Sequence, residues 1–242
     1  DVKARASRFV SYDRLEADGN VGEMTSMWRN LYATISNANT IIANIQTGRD
    51  SGVTESVLDE YEAQAKFMRA FSYFYMVRWW GEVQLITEEN ALLANETRQS
   101  SVADIYAQII ADLQYAETNL SNLGGPDQTG RASKQAAQTI LAKVYLTMAG
   151  WPLNDASNYA LARDKAKQVI DSGIFSLEPD VADLWVQANR LTNSEFIFAF
   201  HGNLANNAST QHVSSRPGAD GGWSDWSSEE RFFNAFPDGY RK

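Results

Sequence analysis

Apolar positions recur every three to four residues from Glu23 to Ile45. Met24, Met27, Trp28, Leu31, Ile35, Ala38, Ile41, Ile42 and Ile45 share one face, which predicts a helix of about six turns. After the breaker-rich TGRDSGV, with Thr54 as its N-cap, a second long helix runs from about Glu55 to Trp80, and Gly81 is placed to stop it. EVQLITEE alternates briefly before the chain turns polar to residue 100, the pattern of a connector. Ser101, with Asp104 three residues on, caps a third helix ending near Leu120, with Ile105, Ile109, Leu113 and Ala116 on its face. SNLGGPDQTGR forces a turn, and Ser133 opens a fourth helix that Trp151-Pro152 ends. A fifth covers about Asn158 to Ser172 with Gly173 as its stop, and 180–187 adds a turn or two. EFIFAFHG at 195–202 reads as the one convincing strand. The polar, Asn- and Gly-rich stretch 203–228 reads as a long loop.

Two of these helices share a usage. MRAFSYFYMV and AAQTILAKVYLTM set alanine against large rings or aliphatics, so that helices approach closely at the alanine and wedge a bulky side chain beside it. The expectation is a mainly α fold of stacked helical hairpins resembling tetratricopeptide repeats, an α-α superhelix, with a loop-rich region and little strand. Residues 1–200 would form the helical scaffold, and 201–242 the start of a loop-rich ligand-binding region.

Composition narrows the chemistry. The chain has 242 residues, 44% of them hydrophobic, and a protein of that length buries roughly 70–75% of its unfolded surface. Zero cysteines remove disulfides, thiolate metal sites and cysteine nucleophiles, and two histidines, His201 and His212, leave metal and imidazole chemistry short of parts. A net charge of −9 without a basic run argues against nucleic acid, and no apolar run reaches the roughly 18 residues of a membrane span. The beginning at Asp1 and the end at NAFPDGYRK read as cuts from something longer.

The enzyme motifs fail on inspection. GPDQTGRAS at 125–133 spaces Gly125 and Gly130 like a P-loop, but Arg131 replaces the phosphate-reaching lysine and Ala132 the magnesium-binding hydroxyl. Glu88-Glu89 and Glu229-Glu230 read as solvated faces rather than separated glycosidase carboxylates. No cofactor and no metal site is expected, and Asp220, Asp225 and Asp238 lack a calcium-loop spacing.

Two features remain. Arg69, inside FMRAFSYF, is a charge on a helix buried on most sides; it requires a carboxylate, and Asp112 is the candidate that a stack of hairpins would bring to it, a structural pair. Of seven tryptophans, Trp28, Trp79, Trp80, Trp151 and Trp185 fall on helical patterns and read as inter-helix anchors, one of the five expected to be exposed. Trp223 and Trp226, in GGWSDWSS, have no apolar face to bury them. Indole stacks on the flat apolar face of a sugar while Asn206, Asn207 and Asp225 offer bonds to its hydroxyls, which makes this loop the candidate glycan site.

WRNLYATISNANTIIANI (28–45), EAQAKFMRAFSYFYMVRWWGEVQLIT (62–87), SVADIYAQIIADLQYAETNL (101–120), GRASKQAAQTILAKVYLTMAG (130–150), the helix at 158–172 running into SGIFSL, and SEFIFAF (194–200) stand in order along the chain. In these blocks the sequence resembles the SusD/RagB-like glycan-binding outer-membrane lipoproteins of Bacteroidetes, and FFNAFPDGYRK also fits. It departs at Gln84, where the family's Gly-x-Val turn usually continues with proline. The resemblance covers most of this chain and about the N-terminal half of a family member. It implies a lipid-anchored protein on the extracellular face of the outer membrane that binds oligo- or polysaccharide without chemistry and delivers it to a SusC-like TonB-dependent transporter. The anchor cysteine would precede Asp1. The rival reading is a helical-repeat scaffold that binds protein and no glycan.

Overall fold

The computed structural model describes residues 2–4, 16, 22–122, 131–189, 193–200, 226–228 and 230–235. Helices dominate: α1 (Gly22–Ala43), α2 (Ile45–Asp50), α3 (Glu55–Trp80), α4 (Val102–Asn119), α5 (Lys134–Ala149), α6 (Asn158–Asp171) and α7 (Glu230–Ala235). Among the described residues two antiparallel ladders accompany them, β1 (Val2–Ala4) with β4 (Trp226–Ser228), and β2 (Val83–Gln84) with β3 (Gln99–Ser100). The chain divides into two compact units, Trp28–His201 and a second made of Asp1–Met27 with Gly202–Lys242.

In the larger unit each helix packs on the next, α3 on α4, α4 on α5 and α5 on α6. The core alternates small and large side chains as the sequence does: Ala63, Phe67 and Ala70 of α3 meet Ile105, Ile109 and Leu113 of α4, with Ala137, Leu141 and Val144 of α5 beyond, all buried. Burying each large aliphatic or aromatic side chain contributes about 1.5–3 kcal/mol before chain entropy is charged against it. The helix ends follow local chemistry. Ser101 Oγ accepts from Asp104 N at 3.1 Å and Ser133 Oγ from Ala136 N at 3.1 Å, both true side-chain caps. Thr54 stands at its N-cap position without that bond. Gly81, at φ +70°, closes α3 with its N–H on the Val77 carbonyl, a conformation that a Cβ would strain.

The structure corrects several expectations. The helix expected to reach Ile45 breaks at Asn44 and restarts as α2. Residues 193–200 form bends rather than a strand. Their apolar content is used in packing, since Phe198 meets Phe67 edge-on at 5.1 Å and Phe200 at 5.3 Å. Within the stretch read as loop, 226–228 form β4, which pairs with β1 in the register Ala4 to Trp226, and α7 follows. Among the described residues two of those tryptophans rather than one are exposed, Trp151 at 83% and Trp79 at 47%. The P-loop-like stretch falls largely at 123–130, outside the described residues.

Candidate functional site

The connector from Gly81 to Ser101 is built from both local and distant groups. Strand alternation sends Val83 inward, where it is fully buried, and leaves its neighbour Gln84 opposite Gln99 on the other face of the ladder. Beyond the strand, the main chain is held by side chains of the helices. Tyr32 donates to the Gln84 carbonyl at 2.9 Å, Asn39 Nδ2 to the Ile86 carbonyl at 3.1 Å, and the Tyr73 hydroxyl donates to that carbonyl at 2.9 Å while accepting from Ile86 N at 2.7 Å. Burial pushes the Tyr32 phenol up to about 12, so it remains a donor throughout the physiological range.

Arg69 sits at the hub. Only 1% exposed, it places Nε and Nη2 on the two Asp112 oxygens at 2.8 Å each, a bidentate pair with a carboxylate 2% exposed. Its Nη1 reaches Asn39 Oδ1 at 2.7 Å and the Glu88 carboxylate. One guanidinium therefore joins α3, α4, α1 and the connector. Burial works to discharge Arg69, but the Asp112 and Glu88 carboxylates outweigh it and hold it charged. Burial lifts the Asp112 carboxyl above its ordinary range against the pull of Arg69. Glu88 is less enclosed; there the Arg69 bond overcomes burial and keeps the carboxyl below its usual range. The Glu88-Glu89 pair is thus no solvated face at Glu88, whose side chain is only 26% exposed.

Beside this framework lies a cleft of about 600 Å³ lined by Trp28, Glu82, Gln84, Thr97, Arg98 and Gln99. Trp28 is braced by Tyr32 at 5.0 Å and, edge-on, by Trp80 at 5.1 Å, and Trp80 in turn meets Trp79 at 5.6 Å. Gln84 Nε2 donates to the Thr97 carbonyl at 2.6 Å, which ties the two walls together. The side chains of Glu82, Arg98 and Gln99 make no hydrogen bond or ion pair among the described residues. A second concavity, about 650 Å³, is lined by α1 to α3; it is predominantly apolar, with Ile41, Leu58, Ala65 and Met68 among its walls.

The residues proposed from sequence fall into two groups. Arg69 and Asp112 are brought together as described. Trp223, Asn206, Asn207 and Asp225 lie outside the described residues, as do Asp220 and Asp238; Trp226 contributes its backbone to β4, and its ring is outside what is described. Sequence reasoning missed the cleft, Glu88 and Asn39. The signal available was Arg69 itself, whose five donors demand more acceptors than one carboxylate supplies. Among the described residues no group of His, Asp or Glu is arranged to hold a metal, and no helix is long and apolar enough to cross a membrane.

The family model for SusD-like proteins, described as "Starch-binding associating with outer membrane", matches residues 5–146. A SusD-like protein of Bacteroides ovatus is 34% identical over 196 residues, covering 79% of this chain and 35% of that protein, so the chain spans about a third of its length. Among solved structures, a SusD superfamily protein from Parabacteroides distasonis aligns over 98% of this chain and 52% of its own, with TM-score 0.87 and 29% identity. A protein crystallised with xylogluco-oligosaccharide aligns over 84% of this chain and 40% of its own, with TM-score 0.73 and 30% identity.

Proposed function

The chain belongs to the SusD-like family, and from that premise we propose that it binds oligo- or polysaccharide at the cell surface without chemistry and passes it to a SusC-like TonB-dependent transporter. The observation that carries the reading is the likeness, in fold and at 30% identity, to a protein crystallised with xylogluco-oligosaccharide. The family's description as starch-binding and outer-membrane-associated agrees with it. A lipid on a cysteine preceding Asp1 would hold the protein on the extracellular face. Trp223 and Trp226 would stack on sugar rings while Asn206, Asn207 and Asp225 bond hydroxyls, a division of labour that suits ligands with an apolar face and a polar edge.

Affinity electrophoresis through gels containing xyloglucan, starch or other polysaccharides tests this. Retardation on at least one glycan, weakened in Trp223→Ala and Trp226→Ala with melting unchanged, is the expected result, with no reducing ends released on incubation. A protein retarded on none would be a helical scaffold for protein partners instead. Release of reducing ends would make it a hydrolase.

A further inference from the structure

The connector cleft has the composition of a carbohydrate subsite, and it is carried by the Trp28–His201 unit, to which neither Trp223 nor Trp226 belongs. Its volume of about 600 Å³ lies within the range of roughly 300–1,000 Å³ typical of small-molecule sites. Its aromatic wall is pre-set, because Tyr32 and Trp80 brace the Trp28 ring and leave it little freedom to lose on binding. Its polar wall is open: Glu82 supplies acceptors, Arg98 donors, and Gln99 both, and their heads are not consumed by contacts among the described residues. The ladder sets Gln84 across from Gln99 at one end of this wall, with the Gln84 amide nitrogen tied to the Thr97 carbonyl and the Gln99 amide left open.

Charge and shape narrow the ligand. One carboxylate and one guanidinium leave the lining without net charge, and the chain as a whole carries −9, which repels polyanions. The indoles do not stop at the cleft, because Trp80 touches Trp28 and the exposed Trp79 touches Trp80, extending the aromatic surface by two rings. A row of rings fits a chain of sugars better than a single one. The geometry points to a subsite for an uncharged oligosaccharide, held at Trp28 by stacking and at Glu82, Arg98 and Gln99 by hydrogen bonds, with further sugar units running over Trp79. This assignment rests on the glycan-binding reading above.

The test uses the whole 242-residue chain, xyloglucan oligosaccharides of two lengths, and polygalacturonate as a polyanionic control. Arg98→Ala/Gln99→Ala removes exposed side chains that hold nothing together, so melting should not move, while affinity for the neutral oligosaccharide should fall about tenfold, the loss expected of a hydrogen bond to a charged group. Trp79→Ala should weaken the longer oligosaccharide more than the shorter. In the wild type, saturating oligosaccharide should slow amide exchange at 83–84 and 97–99, and polygalacturonate should not. If the wild type binds oligosaccharide but these variants bind equally well and the amides exchange unchanged, the cleft assignment falls and the glycan function stands. If the wild type is retained by no polysaccharide at all, both fall together.

Discussion

The interior of the hairpin stack and the connector cleft treat polar groups in opposite ways. Between α3 and α4 each guanidinium nitrogen of Arg69 meets an acceptor, on Asp112, Asn39 or Glu88. In the connector, Glu82, Arg98 and Gln99 present their heads without a partner among the described residues. The difference follows from solvent. A buried charge left unpaired costs several kcal/mol, so the interior tolerates Arg69 only when carboxylates neutralise it. At the surface, water fills the same need at little cost, and a polar head can be held in reserve for a ligand. Arg69 belongs to both regions, because the Glu88 it grips is part of the connector that carries the cleft.

Substitutions should separate the two regions, and the largest effect should come where they meet. Arg69→Met leaves Asp112 buried without its cation and frees Glu88; a loss of about 3–5 kcal/mol in urea unfolding is expected. Ala63→Leu acts on the interior alone. It adds three carbons at a fully buried contact position and should cost about 1–3 kcal/mol through overpacking, and a variant as stable as the wild type would show that the alanine positions do not set helix spacing.

Glu88→Gln acts on the connector alone, and its effect should be smaller, about 1 kcal/mol, with faster amide exchange at 82–90 than in α4. It also has a pH signature. Because the Glu88 carboxyl is held below its unfolded value of about 4.3, its stabilisation is complete above that value and is lost as pH falls through the folded one. Asp112, raised by burial, contributes in the opposite sense and is common to both proteins. The stability gap between wild type and Glu88→Gln should therefore be widest at neutral pH and close as pH falls through the lowered Glu88 value. The smallest effect belongs to Trp151→Ser: at 83% exposure the ring stabilises little, and a shift beyond about 0.5 kcal/mol would mean that the ring is packed rather than exposed.

Much of the scaffold could be read from the chain because its signals are local. The 3.6-residue period placed α3, α4, α5 and α6 to within a residue or two, and Ser101, Ser133 and Gly81 marked ends whose hydrogen bonds close within four residues. Arg69 was visible as a charge that needed a partner, and Asp112 as a partner that stacking would supply. Where the partner was distant and the local pattern gave no hint, the reading failed. Phe196, Phe198 and Phe200 look like a strand because their spacing is two, yet no ladder forms there, and Phe198 and Phe200 pack on Phe67 and Phe71 of α3 and on each other. Ser227 and its neighbours look like loop because their pairing partner, Lys3, is more than two hundred residues away.

Local pattern in the chain is enough to say which segments are helical, where they stop, and that one arginine must be neutralised inside. Those outcomes depend on hydrogen bonds and side-chain periodicities that span a few residues. Packing over long separations, not the local pattern, makes Glu88 and Asn39 complete the arginine's set of partners and makes Trp28 and Arg98 line one open cleft. Groups 19 to 70 positions apart meet there because helix packing brings them together, and no local propensity encodes that meeting.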